Sequence, residues 1–150
     1  MKQLPVILIV EDNPGDVRLI REALNTSSLN PTLHFARDGV EAARLLETGK
    51  RDPSNGLPHL IVLDLNLPKK SGFEVLEYVK RDERLKRIPV IVLSSSQNPD
   101  DIAKAYDLHA NCYLTKPANF DAFIDVVKAL EYFLVEMAHL PSTYTSRLPS

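Results

Sequence analysis

The 150-residue chain is 44% apolar and 25% charged, the balance of a single globular domain. Its formal net charge of −2 excludes a broad electrostatic pull toward nucleic acid or an anionic membrane. Cys112 is the one cysteine, no apolar run reaches the ~18–20 residues of a membrane span, and the N-terminus lacks a small-residue cleavage site, so a cytoplasmic protein without disulfides is expected.

Short apolar runs then alternate with helix-period segments five times along the chain. The first run, Val6–Val10, ends in Glu11-Asp12. Asn13-Pro14-Gly15-Asp16 can start a helix, and Val17, Ile20 and Leu24 recur at helical spacing across 16–24. A second run, Thr32–Ala36, precedes a helix over 40–47 carried by Val40, Ala43 and Leu46, with Gly49 placed to close it. The polar stretch 50–58, rich in turn residues, reads as a long loop. Leu60–Leu63 follows, continuous in its apolar character, and stops at Asp64. A helix over 73–80 comes next, then the run 90–93, ending in Ser94-Ser95-Ser96. Asn98-Pro99-Asp100-Asp101 opens a helix over 100–108. The last run, 111–114, holds Cys112 as a packing residue and is followed by Thr115-Lys116-Pro117. A final helix spans 120–139.

The β-α alternation, with the first, third and fourth runs apolar at every position, indicates a parallel sheet covered by helices on both faces. Ligands of such sheets bind beyond the carboxyl ends of the strands. Those ends here carry Glu11, Asp12, Asp64, Ser94 and Lys116. Clustered carboxylates repel one another unless a cation joins them. A hard divalent ion such as Mg²⁺ or Mn²⁺ takes carboxylate and phosphate oxygens. A carboxylate can attack phosphorus to give an aspartyl phosphate, with metal, lysine and hydroxyl stabilising the charge. Each strand end alone reads as a helix cap or a solvated turn. Four strand ends bearing complementary groups point to phosphoryl capture on an aspartate.

The segments ILIVEDN (7–13), IVLDLNLPKKSG (61–72), PVIVLSS (89–95) and YLTKP (113–117) resemble, in order and spacing, the receiver domain of two-component response regulators. The resemblance extends from Val6 to about Leu134. It implies a flavodoxin-like α/β fold, five parallel strands in the order 2-1-3-4-5 with helices on both faces. It also implies roles: Asp64 as phosphoacceptor, with Glu11, Asp12, Asp64 and a backbone carbonyl of Asn66 holding Mg²⁺ or Mn²⁺. Ser94 would bond the phosphoryl oxygen, Lys116 would pair with it, and the Lys116–Pro117 bond would be cis. Ser94 and Tyr113 would form the switch. The implied function is a stand-alone regulator that takes a phosphoryl group from a sensor histidine kinase and promotes its own Mg-dependent phosphorylation and dephosphorylation, with no external substrate. The VEDNPGD start, the long loop before the third strand and the long last helix are similar to the small regulators of bacterial and cyanobacterial phytochrome kinases.

The alternatives are a phosphorylation-independent binding module on the same fold, an aspartate-dependent phosphatase and a dinucleotide-binding fold. A phosphatase needs a second Asp where Asn66 stands, and no G-x-G-x-x-G follows the first strand. With no output domain after Leu140, DNA binding through an attached module is not expected, and the downstream partner is a protein unknown. The expected organisation is a receiver over 1–140 with an extended last helix, then a flexible tail over 141–150. The apolar arc of the last helix covers well over half its circumference, more than one core needs. That excess predicts a homodimer through Leu130, Phe133, Leu134 and Met137.

Overall fold

The computed structural model describes residues 5–25, 31–52 and 56–132. The elements are β1 (Val6–Val10), α1 (Pro14–Asn25), β2 (Thr32–Ala36), α2 (Gly39–Lys50), β3 (Leu60–Leu63), α3 (Gly72–Arg81), β4 (Val90–Ser94), α4 (Pro99–Asp107), β5 (Cys112–Thr115) and α5 (Phe120–Tyr132). All strand pairs are parallel, in the order β2-β1-β3-β4-β5, the expected flavodoxin-like α/β arrangement.

Successive side chains of a strand point to opposite faces, and the two cores divide the strands accordingly. Leu8, Val10, Ile61, Leu63, Val90 and Val92 pack in one core with Leu46, Val75, Leu76 and Ala105 from α2, α3 and α4. Ile7, Ile9, Leu60, Val62, Ile91 and Leu93 pack in the other with Ile20 and Leu24 of α1 and Phe123 and Val127 of α5. The central strands therefore need an apolar residue at every position short of Ser94 at the tip of β4, as their sequence shows. The edge strands β2 and β5 are only partly buried. Cys112 packs, half-buried, against the second core.

Local chemistry sets the ends. Pro14 opens α1, and Asn13 Oδ1 accepts from the Asp16 N–H at 3.0 Å. Asp38 caps α2, Ser71 and Glu74 form a capping box on α3, and Asn98 caps α4 ahead of Pro99. β4 runs one residue further than expected, to Ser94, and β5 is shifted by one, to Cys112–Thr115. Asn111 instead secures the entry to β5, its N–H donating to Val90 O and its Oδ1 accepting from Val90 N at 2.8 Å. Gly49 does not close α2 but lies buried in its last turn. A Cβ there would sit 2.3 Å from Gly56 O, so the glycine admits the returning chain rather than stopping the helix. Phe133, Leu134, Met137 and the segment 141–150 lie outside the described residues.

Candidate functional site

The strand register brings the tips of β1, β3, β4 and β5 together. Asp64 continues β3, its N–H donating to Val10 O at 3.0 Å. Glu11 continues β1, donating to Ala36 O at 3.0 Å. Lys116 continues β5, its N–H donating to Ser94 O at 2.8 Å. Gly72 lets α3 begin against this edge: a Cβ at that position would lie 2.2 Å from Asp64 O, so only glycine fits the close approach.

Glu11, Asp64 and Ser94 are the buried polar residues of the described chain, 2%, 6% and 0% exposed. Each of three acids, Glu11, Asp12 and Asp64, offers an oxygen within 4.8 Å of the others. Lys116 Nζ faces Glu11 Oε1 at 2.7 Å, Asp16 Oδ2 at 2.8 Å and Asp64 Oδ2 at 3.4 Å. Burial raises the Glu11 carboxyl, the Lys116 hydrogen bond opposes this and the charge of Asp64 adds to it, leaving Glu11 pushed up to about 7. Burial pulls the Lys116 ammonium down, but its hydrogen bonds to Asp16 and Glu11 and the charges of Glu11 and Asp64 prevail, so its net shift is upward.

One lysine thus faces an excess of negative charge, and the donor set is all oxygen. A small octahedral ion bonded at about 2.1 Å keeps adjacent ligands about 3 Å apart, so the three carboxylates, whose oxygens lie within 4.8 Å of one another, would draw together around Mg²⁺ or Mn²⁺. Asn66 is exposed two residues beyond Asp64, its N–H 3.4 Å from Asp64 Oδ1. The cis Lys116–Pro117 bond expected above is not found: the described residues contain no cis peptide bond. Trans is the ordinary preference of an X-Pro bond, and in that form Lys116 Nζ already reaches its three carboxylates.

Ser94 connects the site to the β4–α4 loop. Its Oγ accepts from the Ser96 N–H at 3.2 Å. Ser96 in turn donates from Oγ to Asp101 Oδ2 at 2.6 Å, and its carbonyl accepts from the Tyr113 hydroxyl at 2.8 Å. The Tyr113 N–H donates to Tyr106 Oη at 3.0 Å, tying β5 to α4. Tyr113 is half-buried against the first core. Sequence reasoning missed Asp16, which looked like an ordinary first-turn acid, and Ser96, which looked like loop polarity.

The family described as "Response regulator receiver domain" matches residues 7–128. Response regulator Rcp1 of Synechocystis sp. is 46% identical over 137 residues, covering 91% of this chain and 93% of Rcp1. The crystal structure of the phosphorylated cyanobacterial phytochrome response regulator RcpA superposes with a TM-score of 0.86 at 50% identity, covering 93% of this chain and all of RcpA, 100%. The Mn²⁺-bound form of Rcp1 superposes with a TM-score of 0.84 at 46% identity, covering 92% of this chain and 99% of that one.

Proposed function

The chain belongs to the response regulator receiver family, so its place in two-component signalling is that of a phosphoacceptor, and we propose Asp64 as the residue that carries the phosphoryl group. The observation that supports this reading is the convergence of Asp64 with Glu11, Asp12 and Lys116 at one end of the sheet. A carboxylate oxygen of Asp64 attacks the phosphorus of a kinase phosphohistidine. The P–N bond breaks, the imidazole nitrogen keeps the electron pair, and an acyl phosphate forms. Water later attacks the phosphorus, the P–O bond to Asp64 breaks, and the carboxylate returns with release of inorganic phosphate. Lys116 supplies a fixed positive charge beside the transferring group, and the buried Ser94 hydroxyl a hydrogen bond.

Glu11, Asp12 and Asp64 would hold a divalent ion, with the Asn66 carbonyl as a further ligand. When bound, Mg²⁺ or Mn²⁺ neutralises charge on the phosphoryl oxygens. Rcp1 is described in a Mn²⁺-bound form, which supports this assignment. No external substrate is needed; the chemistry is the regulator's own phosphorylation and dephosphorylation.

Likeness to RcpA and Rcp1 supports a histidine kinase of the phytochrome type as donor. Ser94, Ser96 and Tyr113 form the path by which a phosphoryl group on Asp64 shifts the α4–β5 face. A homodimer through α5 and its continuation is the second part of the proposal. Within α5, Phe120 is 51% and Tyr132 59% exposed, apolar surface that suits a partner. Leu130 contributes less than its sequence position implied, being half-buried against its own core. Sedimentation at rising concentration checks this: a persistent monomer, phosphorylated or not, removes the dimer.

The decisive measurement for Asp64 is incubation with Mg²⁺ and a small phosphodonor. The expected product is an acid-stable, hydroxylamine-labile phosphate that is lost entirely in Asp64→Asn. Undiminished labelling of that variant would refute the assignment.

A further inference from the structure

Lys116 has three ammonium protons and three carboxylate neighbours, and it does not share itself equally among them. Nζ lies 2.7 Å from Glu11 Oε1 and 2.8 Å from Asp16 Oδ2, but 3.4 Å from Asp64 Oδ2. Asp16 is half-buried in the first turn of α1, 100 residues away in sequence from Lys116. Its backbone is held there by Asn13 Oδ1 at 3.0 Å, so the carboxylate is presented from a fixed helix end rather than from a loose loop. The two short bonds draw the ammonium toward the tip of β1 and the first turn of α1, and the long one leaves Asp64 only loosely covered.

We propose that Asp16 is a positioning residue: it holds Lys116 off Asp64 in the resting protein and competes with the phosphoryl group for the same ammonium once Asp64 is modified. This rests on the reading of Asp64 as phosphoacceptor. Two consequences follow from elementary electrostatics. The resting Asp64 oxygen keeps its freedom to attack, because a tight ion pair would tie up its lone pairs. The phosphoryl state, in turn, gains Lys116 only by displacing it from Asp16. A bonded carboxylate on α1 therefore sets how strongly the lysine grips the phosphoryl group. α1 carries this contact on the same element that packs against α5, so release of Asp16 loosens a tie between the site and the helix layer.

The test uses beryllofluoride, a mimic of the aspartyl phosphate, titrated into the full chain at saturating Mg²⁺ and read by fluorine NMR. Asp16→Asn keeps the size of the side chain and removes the competing charge. It is expected to bind beryllofluoride about threefold tighter than wild type, the scale of a partly exposed ion pair. In a Lys116→Met background the same substitution is expected to have no effect, since the competition is for that ammonium. If Lys116→Met fails to bind at all, Glu41→Gln supplies the control. It removes an acid that lines the same cleft as Glu11 and Asp12 and makes no contact with Lys116, and should leave the affinity unchanged. An Asp16→Asn affinity equal to or weaker than wild type overturns the proposal. So does an equal gain in the Lys116→Met or Glu41→Gln proteins, which would reduce the effect to general charge removal. Wild type failing to bind, or Asp64→Asn binding as well as wild type, would instead bring down the Asp64 assignment and this proposal with it.

Discussion

Two lysines of the described residues each face more than one carboxylate, and their surroundings differ in one respect that separates structure from function. Lys50, where α2 and α3 end, bonds Asp82 Oδ2 at 2.7 Å and Glu47 Oε2 at 3.0 Å. There the acids are fully answered. Glu47 also accepts from the Tyr78 hydroxyl, and Asp82 Oδ1 accepts from the Arg84 and Leu85 N–H groups at 2.8 and 3.0 Å. Glu47 is held below its ordinary value by Tyr78 and Lys50. Burial raises Asp82, but Lys50 and the two backbone donors outweigh it and the net shift is downward. At the other end of the sheet Lys116 faces Glu11, Asp16 and Asp64, with Asp12 beside them. That cluster keeps a surplus of negative charge, and Glu11 is pushed up to about 7. A closed cluster stabilises a fold; an open one awaits a cation and an anion that the chain itself does not supply.

The sharpest way to break this comparison is to remove the lysine of the open cluster. Lys116→Met leaves the buried carboxylates of Glu11 and Asp64 without their positively charged partner, and unfolding in urea without divalent ions is expected to show a loss of about 3 kcal/mol. Uptake of a proton by Glu11 limits the loss, and added Mg²⁺ should recover much of it. A variant as stable as wild type in chelator would mean that the carboxylates were never short of positive charge.

Much of this was legible in the sequence because a parallel sheet imposes its own logic. Apolar residues at every position of Leu60–Leu63 required two cores, and both are present. The carboxyl ends of parallel strands lie along one edge of the sheet, so Glu11, Asp64, Ser94 and Lys116 could be grouped from the sequence. What escaped was whatever had a sufficient local explanation. Asp16 favours a helix N-terminus by its charge alone, so nothing in its neighbourhood signals a contact 100 residues away. Gly49 looked like a helix terminator because glycine commonly is one; its actual reason, the close passage of Gly56, depends on a loop whose path the sequence does not encode locally. The hydroxyl of Ser96 was hidden among three consecutive serines, and only the direction of Tyr113 and the position of Asp101 distinguish it.

A smaller effect sharpens the contrast between the clusters, because their pH dependences have opposite signs. Glu11 is raised from its ordinary 4.5 to about 7. In metal-free protein the folded state therefore holds the proton more tightly than the unfolded chain. The stability this gives is complete below about pH 4.5 and is lost as pH rises through about 7. Glu47 and Asp82 are lowered from 4.5 and 3.8, so their contribution is complete above those values and is lost as pH falls below them. Urea midpoints measured across pH in chelator should separate the two. Relative to Glu11→Gln, wild type is expected to lose stability between about pH 5 and 7. Relative to Lys50→Met, it is expected to lose stability only below about pH 4.5, by a smaller amount, since side chains of that cluster remain partly in water and solvent screens the pairs. If the Glu11→Gln profile runs parallel to wild type from pH 5 to 7, burial and Asp64 do not hold the Glu11 proton, and the two lysine clusters differ in shape but not in charge balance.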